Sequence, residues 1–189
     1  MTLNYVVNKK EIIREAEKFM KENIPKSRGN ESYLKHVFGA RDYAFDLAKE
    51  YGADLFIVEL AALLHDIGAD AEEKHPEESA KMAKRFLSKF DIPADIEQKV
   101  IECIKNHAFW SKAETLEQQI VQDADGLIFL EDTYTFCLEK LKNEFPLEEA
   151  RSLSIKKTKA MRDKILTEKG KILAEELFPK VIKYLESAS

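Results

Sequence analysis

The sequence predicts an all-α fold, and three observations carry that reading. Apolar residues recur at helical spacing along almost the whole chain, with no alternating strand pattern of useful length. Six glycines and five prolines in 189 residues are too few for a turn-rich sheet protein. The segment from Asp54 to Gly68 is apolar on nearly every side, as the central helix of a bundle must be.

Each element can be justified in turn. Residues 9–23 form an amphipathic helix with Ile12, Ile13, Ala16, Phe19 and Met20 on one side, ended by the breaker PKSRGN. Ser32 caps a second helix that runs to about Tyr51, with Tyr33, His36, Val37, Ala40, Ala44 and Leu47 inward and Gly52 as its stop. The third, DLFIVELAALLHD, opens at Asp54 and closes at Gly68; within it only Glu59 and Asp66 carry charge beyond the cap. Residues 76–90 begin with a proline and acids in the first turn, a good helix start. A fifth helix runs from near Pro93 to His107 along the stripe Ile96, Val100, Cys103, Ile104 and His107. A long helix covers about 115–142, and after Pro146 a charged amphipathic pair spans about 147–168 and 170–186. The expected organisation is one structural domain, residues 31–189, with residues 1–30 as an appended N-terminal helix.

Composition narrows the function. A net charge of −5 and a pI near 5.5 leave no electrostatic footprint for duplex nucleic acid. A small anionic substrate stays open, because one metal ion can outweigh the global charge locally. Cys103 and Cys137 sit in apolar helical patterns and read as buried free thiols. The run Leu55 to Leu64 is too short to span a bilayer, and the first residues lack the apolar stretch of a signal peptide, so the cytoplasm is the expected address.

The chemistry centres on His65-Asp66, at the end of the most apolar helix. A carboxylate there costs several kcal/mol unless it is paired or bound to a cation. The nearest cations in sequence are Lys74 and Lys81, so no local salt bridge presents itself. Gly68 permits a bend that would turn both side chains toward one ligand. His36 lies on the inward stripe of its own helix, and Asp123 and Asp125 sit in the apolar stretch Ile120 to Leu130. Periodicity does not separate those two aspartates. Inward imidazoles and carboxylates from three helices suit a divalent cation such as Mn, Fe, Zn, Ni or Co. A helical bundle with a few hydrogen-bonded polar core groups is the plainer alternative, and an interaction module without metal is another.

Three pieces, His36 in SYLKHVFGARDYAFDLA, the pair in LAALLHDIG, and the aspartate in QIVQDADGL, make the chain resemble the HD-domain metal-dependent phosphohydrolases over about residues 30–135. The resemblance implies an HD-domain helical bundle that holds a divalent cation, Mg being added to the range, through His36, His65, Asp66 and Asp125. Asp125 is preferred because it stands in Ala-Asp-x-Leu; Asp123 then becomes a residue supporting the ligands. Hydrolysis of a small phosphate ester of the nucleotide class by a metal-activated water is the implied reaction. Asp66 would orient or deprotonate that water, and His107 or His75 would protonate the leaving group. His75, in His-Pro-Glu, and His107 are candidates for substrate contact or for a second metal, with one ion preferred. Many relatives carry an arginine three residues after the first histidine. This chain has Gly39 there, so Arg41 or Lys35 would take over that electrostatic task. The alternative function is a non-catalytic sensor that binds metal and nucleotide. For Phe109 and Trp110, simple packing in the core or at its rim is preferred over base stacking. The Lys/Glu-rich C-terminal helices read as solvated faces, with a homodimer surface as the other option.

Overall fold

In the computed structural model, which describes residues 8–188, the apolar stripes become nine α-helices, with no strand among the described residues. They are α1 (Lys9–Glu22), α2 (Asn30–Tyr51), α3 (Leu55–Leu64), α4 (His75–Leu87), α5 (Ala94–Lys105), α6 (Leu116–Ile128), α7 (Tyr134–Lys142), α8 (Leu147–Asp163) and α9 (Glu168–Ser187). The all-α expectation holds. The reading against a leader peptide draws on residues 1–7, which lie outside the described residues.

α3 is the axis of the core. Val58, Leu60, Ala61, Leu63 and Leu64 are fully buried, and α1, α2, α5 and α6 all pack around them. Each fully buried leucine contributes about 1.5–3 kcal/mol of transfer free energy, so this helix cannot shift without a large loss. The α1 stripe of Ile12, Ala16 and Met20 is buried in the same apolar cluster. Cys103 and Cys137 are buried free thiols, and burial pushes the Cys103 thiol up to about 12, far from its reactive form.

Some boundaries differ from the sequence reading, each for a local reason. α2 starts at Asn30 with Gly29 as its extended cap, so Ser32 lies inside the first turn rather than capping it. Gly52 ends α2 in the left-handed region at φ 72°, as expected of a C-terminal glycine. Asp54 caps α3 through Oδ1, which accepts from Phe56 N at 2.9 Å and Ile57 N at 3.3 Å. The single long helix expected over 115–142 is interrupted by a wide turn of π geometry, Phe129–Thr133, between α6 and α7. Such insertions re-aim side chains, and this one aims Thr133 at His36.

Gly68 is needed for closeness, not for the bend expected of it. Its φ of −102° and ψ of 18° are open to other residues, but a Cβ there would sit 2.6 Å from the backbone nitrogen of Ser79. Gly68 N also donates to Ser79 Oγ at 3.0 Å, tying the turn after α3 to the start of α4 and so bringing His75 toward Asp66. At Gly39 a Cβ would collide with the Ile128 side chain, so α2 and α6 meet through that glycine. Gly68→Ala is expected to lower stability by about 1–3 kcal/mol. Gly29→Ala, where no atom lies within 4 Å of the added Cβ, is expected to change it by less than about 0.5 kcal/mol. Urea unfolding of both variants checks the contrast.

Candidate metal centre

Three helices and two turns deliver six ligand-type side chains to one place. His36 comes from the buried face of α2, His65 and Asp66 from the turn after α3, and Asp125 from α6. His75 opens α4, and His107 follows the end of α5. The segment that carries His107 is tied down by Gln122, whose amide donates to the Ser111 carbonyl at 3.0 Å and to the Asn106 carbonyl at 2.5 Å. All but His75 are at least nine-tenths buried.

The six groups form two sets that share Asp66. In the first, His36 Nε2 and His65 Nε2 are 3.1 Å apart. Asp66 Oδ2 lies 3.4 Å from His36 Nε2 and 3.8 Å from His65 Nε2, and Asp125 Oδ1 lies 3.4 and 3.9 Å from the same two atoms. In the second, His75 Nε2 and His107 Nε2 are 3.0 Å apart, with Asp66 Oδ1 at 3.4 and 3.6 Å. The His65 and His107 rings are in edge contact, with centroids 4.9 Å apart, so the sets are neighbours.

Hydrogen bonding decides what the facing nitrogens present. A carbonyl only accepts, so His65 Nδ1–H donates to Ala62 O at 2.8 Å, His75 Nδ1–H to Glu72 O at 2.5 Å, and His107 Nδ1–H to Ile104 O at 2.6 Å. Each Nε2 of a neutral ring then presents a bare lone pair. His36 Nδ1 meets the Thr133 hydroxyl at 3.0 Å; with that hydroxyl's proton turned to the Ile128 carbonyl, 3.5 Å away, His36 joins the same pattern. Lone pairs held about 3 Å apart repel unless a cation or an extra proton lies between them. Two donors each about 2.1 Å from one ion, at neighbouring positions of a six-coordinate shell, are separated by about 3 Å. The donor set fits divalent cations of the imidazole–carboxylate type.

Electrostatics favours the neutral form of two of these imidazoles and the charged form of both carboxylates. Burial drives the His65 imidazole down to about 4, against the pull of Asp66, and burial likewise lowers His75. Burial alone would raise the Asp66 carboxyl, but the charge that His65 carries when protonated and the Arg28 guanidinium outweigh it and hold the carboxyl well below the usual carboxylate range. For Asp125 burial is again overcome, chiefly by Lys164. The cation that pairs with Asp66 is not one of its neighbours in sequence but comes from across the fold. Arg28 Nη2 lies 3.2 Å from Asp66 Oδ2, and Lys164 Nζ lies 2.6 Å from Asp125 Oδ2 and 3.0 Å from the His107 carbonyl. Neither cation carried a sequence signal, because each reaches the site across the fold from outside the stretch with matching motifs.

Other expected residues fall elsewhere. Asp123, expected to support the ligands, instead accepts from Leu166 N and Thr167 N, both at 2.9 Å, and from Thr167 Oγ1 at 2.6 Å, so it fastens the start of α9 to α6. Arg41 pairs with Asp42 and Glu17, and Lys35 with Asp132; neither borders the cavity that opens over the ligands. That cavity has a volume of about 480 Å³, and Arg28, Trp110, Phe129 and Phe136 are among the residues that border it. Trp110 is half-exposed at the rim of that cavity, with its ring 6.0 Å from that of His75.

The pH response of the metal-free protein follows from the buried imidazoles. Unfolded His65 titrates near pH 6.5 and the folded group near 4, so between those values the unfolded chain binds more protons. Stability is then full above about pH 6.5 and falls as the pH drops toward 4, with His75 adding in the same direction. The two aspartates, held low, withdraw their contribution only at still lower pH. Urea midpoints in chelator are expected to be lower at about pH 5 than at about pH 7, and equal midpoints would contradict the neutral-imidazole assignment.

The family model for the HD domain matches residues 33–130, more than half of the 189 residues. Several solved structures share the architecture. An HD-superfamily hydrolase from Bacillus thuringiensis is 23% identical over 95% of each chain, with a TM-score of 0.73. YpgQ from Bacillus subtilis, in complex with ADP, is 24% identical over 92% of this chain and 94% of its own, with a TM-score of 0.68. A predicted HD-superfamily hydrolase from an uncultured Thermotogales bacterium is 22% identical over 92% and 88%, with a TM-score of 0.63. At such identities the likeness speaks for the fold. The histidine and aspartate that close α3, the upstream histidine of α2 and the downstream aspartate of α6 all lie within the matched stretch, and the chain belongs to the HD domain family.

Proposed function

We propose that this protein is a metal-dependent phosphohydrolase whose two divalent cations share Asp66, and that its substrate is a nucleotide. The observation that carries the reading is the pair of bare imidazole couples, 3.1 and 3.0 Å apart, on either side of one carboxylate. His36, His65, Asp125 and Asp66 Oδ2 would hold one ion; His75, His107 and Asp66 Oδ1 would hold the other. When bound, such ions neutralise phosphoryl oxygens and acidify water.

The residues' own tasks follow from their contacts. Asp66 turns one oxygen to each imidazole couple, which suits a bridging ligand better than a free base. His107 is engaged at both ring nitrogens, so its role moves from proton donor to ligand. Lys164 holds Asp125 and the His107 backbone in register, so both ligand sets move as one. The buried floor excludes bulk water, which strengthens every charge interaction made there.

The nucleotide class is supported by three things. The cavity has the size of a small-molecule site. Phe136 and Trp110, neither of them fully buried, border it and offer apolar ring surface to a base. YpgQ, of the same fold, binds ADP.

Reconstitution with Mn²⁺ followed by assay against nucleoside mono-, di- and triphosphates tests the proposal. Turnover is expected in at least one class, abolished by chelation. His65→Ala and Asp66→Ala are each expected to reduce it by at least about 10³-fold. His75→Ala is expected to lower bound manganese from about two ions per chain to about one. Nucleotide binding without turnover in the reconstituted protein would favour the sensor; no manganese uptake would defeat both readings.

A further inference from the structure

We propose that Arg28 is a phosphate-binding residue of this centre, placed there by a turn that Asp70 holds in shape. The proposal rests on the phosphohydrolase reading above and names a protein group that the substrate's phosphoryl oxygens meet.

Arg28 borders the cavity with its side chain only 22% exposed, and its Nη2 lies 3.2 Å from Asp66 Oδ2, the oxygen that faces His36 and His65. A guanidinium has five N–H donors, and no second acceptor for Arg28 occurs among the described residues. A phosphoryl group beside Asp66 therefore lies within reach of donors whose planar fork matches its oxygens.

The arginine is fixed rather than draped over the surface. Its guanidinium carbon sits 5.7 Å from the Phe136 ring centroid. Its backbone N–H donates to Pro25 O at 3.1 Å, which closes the turn. Asp70 accepts from Lys26 N at 2.9 Å and Ser27 N at 2.7 Å, so the turn is pinned to the segment between α3 and α4. These bonds, the one from Ser27 first, hold the Asp70 carboxyl below its usual range.

Two lysines, Lys140 and Lys157, also border the cavity, and neither pairs with Asp66 as Arg28 does. Lys164 is committed to Asp125 and the His107 carbonyl, Lys157 lies over the Phe129 ring, and Lys35 and Arg41 do not border the cavity. Glu72 and Glu73 border it as well, so the mouth has no uniform positive field. Anion capture there needs a directed contact, and Arg28 is placed to make it.

The test compares full-length wild type, Arg28→Gln, Arg28→Lys and Asp70→Asn after Mn²⁺ reconstitution. Inorganic phosphate binding is read by calorimetry and manganese by elemental analysis. Arg28→Gln is expected to weaken phosphate binding at least about tenfold with manganese content unchanged. Arg28→Lys should fall between, because an ammonium keeps the charge and loses the fork. Asp70→Asn should weaken binding about threefold and raise KM for the substrate while leaving kcat near wild type. Phosphate affinity of Arg28→Gln within about twofold of wild type would overturn the proposal. Should Arg28→Gln lose its cooperative melting transition, Arg28→Lys decides, a loss of at least about threefold supporting the anchor and none overturning it. A wild type that takes up no manganese defeats the phosphohydrolase reading separately; the same comparison in metal-free protein then decides for or against Arg28.

Discussion

Imidazole lone pairs turned toward one another inside a protein are held there against their mutual repulsion, and the rest of this structure is organised to impose that arrangement twice. The carboxylates are the lesser problem. Asp66 has Arg28 and Asp125 has Lys164, so each buried negative charge already meets a protein cation. Truncating one partner of such a pair costs about 3–5 kcal/mol, because the other is left charged in an apolar setting. The imidazole couples have no equivalent relief. Three of the four rings are locked by carbonyls that take the Nδ1 proton, which leaves Nε2 bare and aimed at its neighbour.

The fold supplies the rigidity this requires. α3 is buried on nearly all sides, so the turn that follows it starts from a fixed point. Gly68 lets that turn touch the first turn of α4, which sets the distance from Asp66 to His75. The wide turn between α6 and α7 places Thr133 against His36 Nδ1, while one residue pair on α6 divides its labour: Asp125 faces the ligands and Asp123 fastens α9. Lys164 then couples α8's end to both Asp125 and the segment carrying His107. Elements from the whole length of the described chain converge on one cluster, including two outside the stretch that the family model matches.

What the sequence made legible was burial and its periodicity. His36 stood on an inward stripe and His65-Asp66 at the end of a helix with no polar face, so their convergence was readable before any geometry. The choice of Asp125 over Asp123 needed the motif context, since both positions are buried and a helical wheel does not tell which neighbour each one meets. Arg28 and Lys164 left no trace because a stripe reports that a residue faces inward, not what it faces. The meeting of His75 and His107 was hidden for the same reason: they lie 32 residues apart, and only the closeness of α4 to α5 joins them. Helix boundaries drifted where capping was unconventional, as at Gly29, and where a helix widened without stopping, as at Phe129–Thr133.

The most direct measurement is anomalous diffraction from crystals grown with Mn²⁺, recorded on either side of the manganese absorption edge. The account predicts two peaks per chain flanking the Asp66 carboxylate, one beside His36 and His65 and the other beside His75 and His107. No peak between either couple, with the four rings turned toward separate partners, would contradict it.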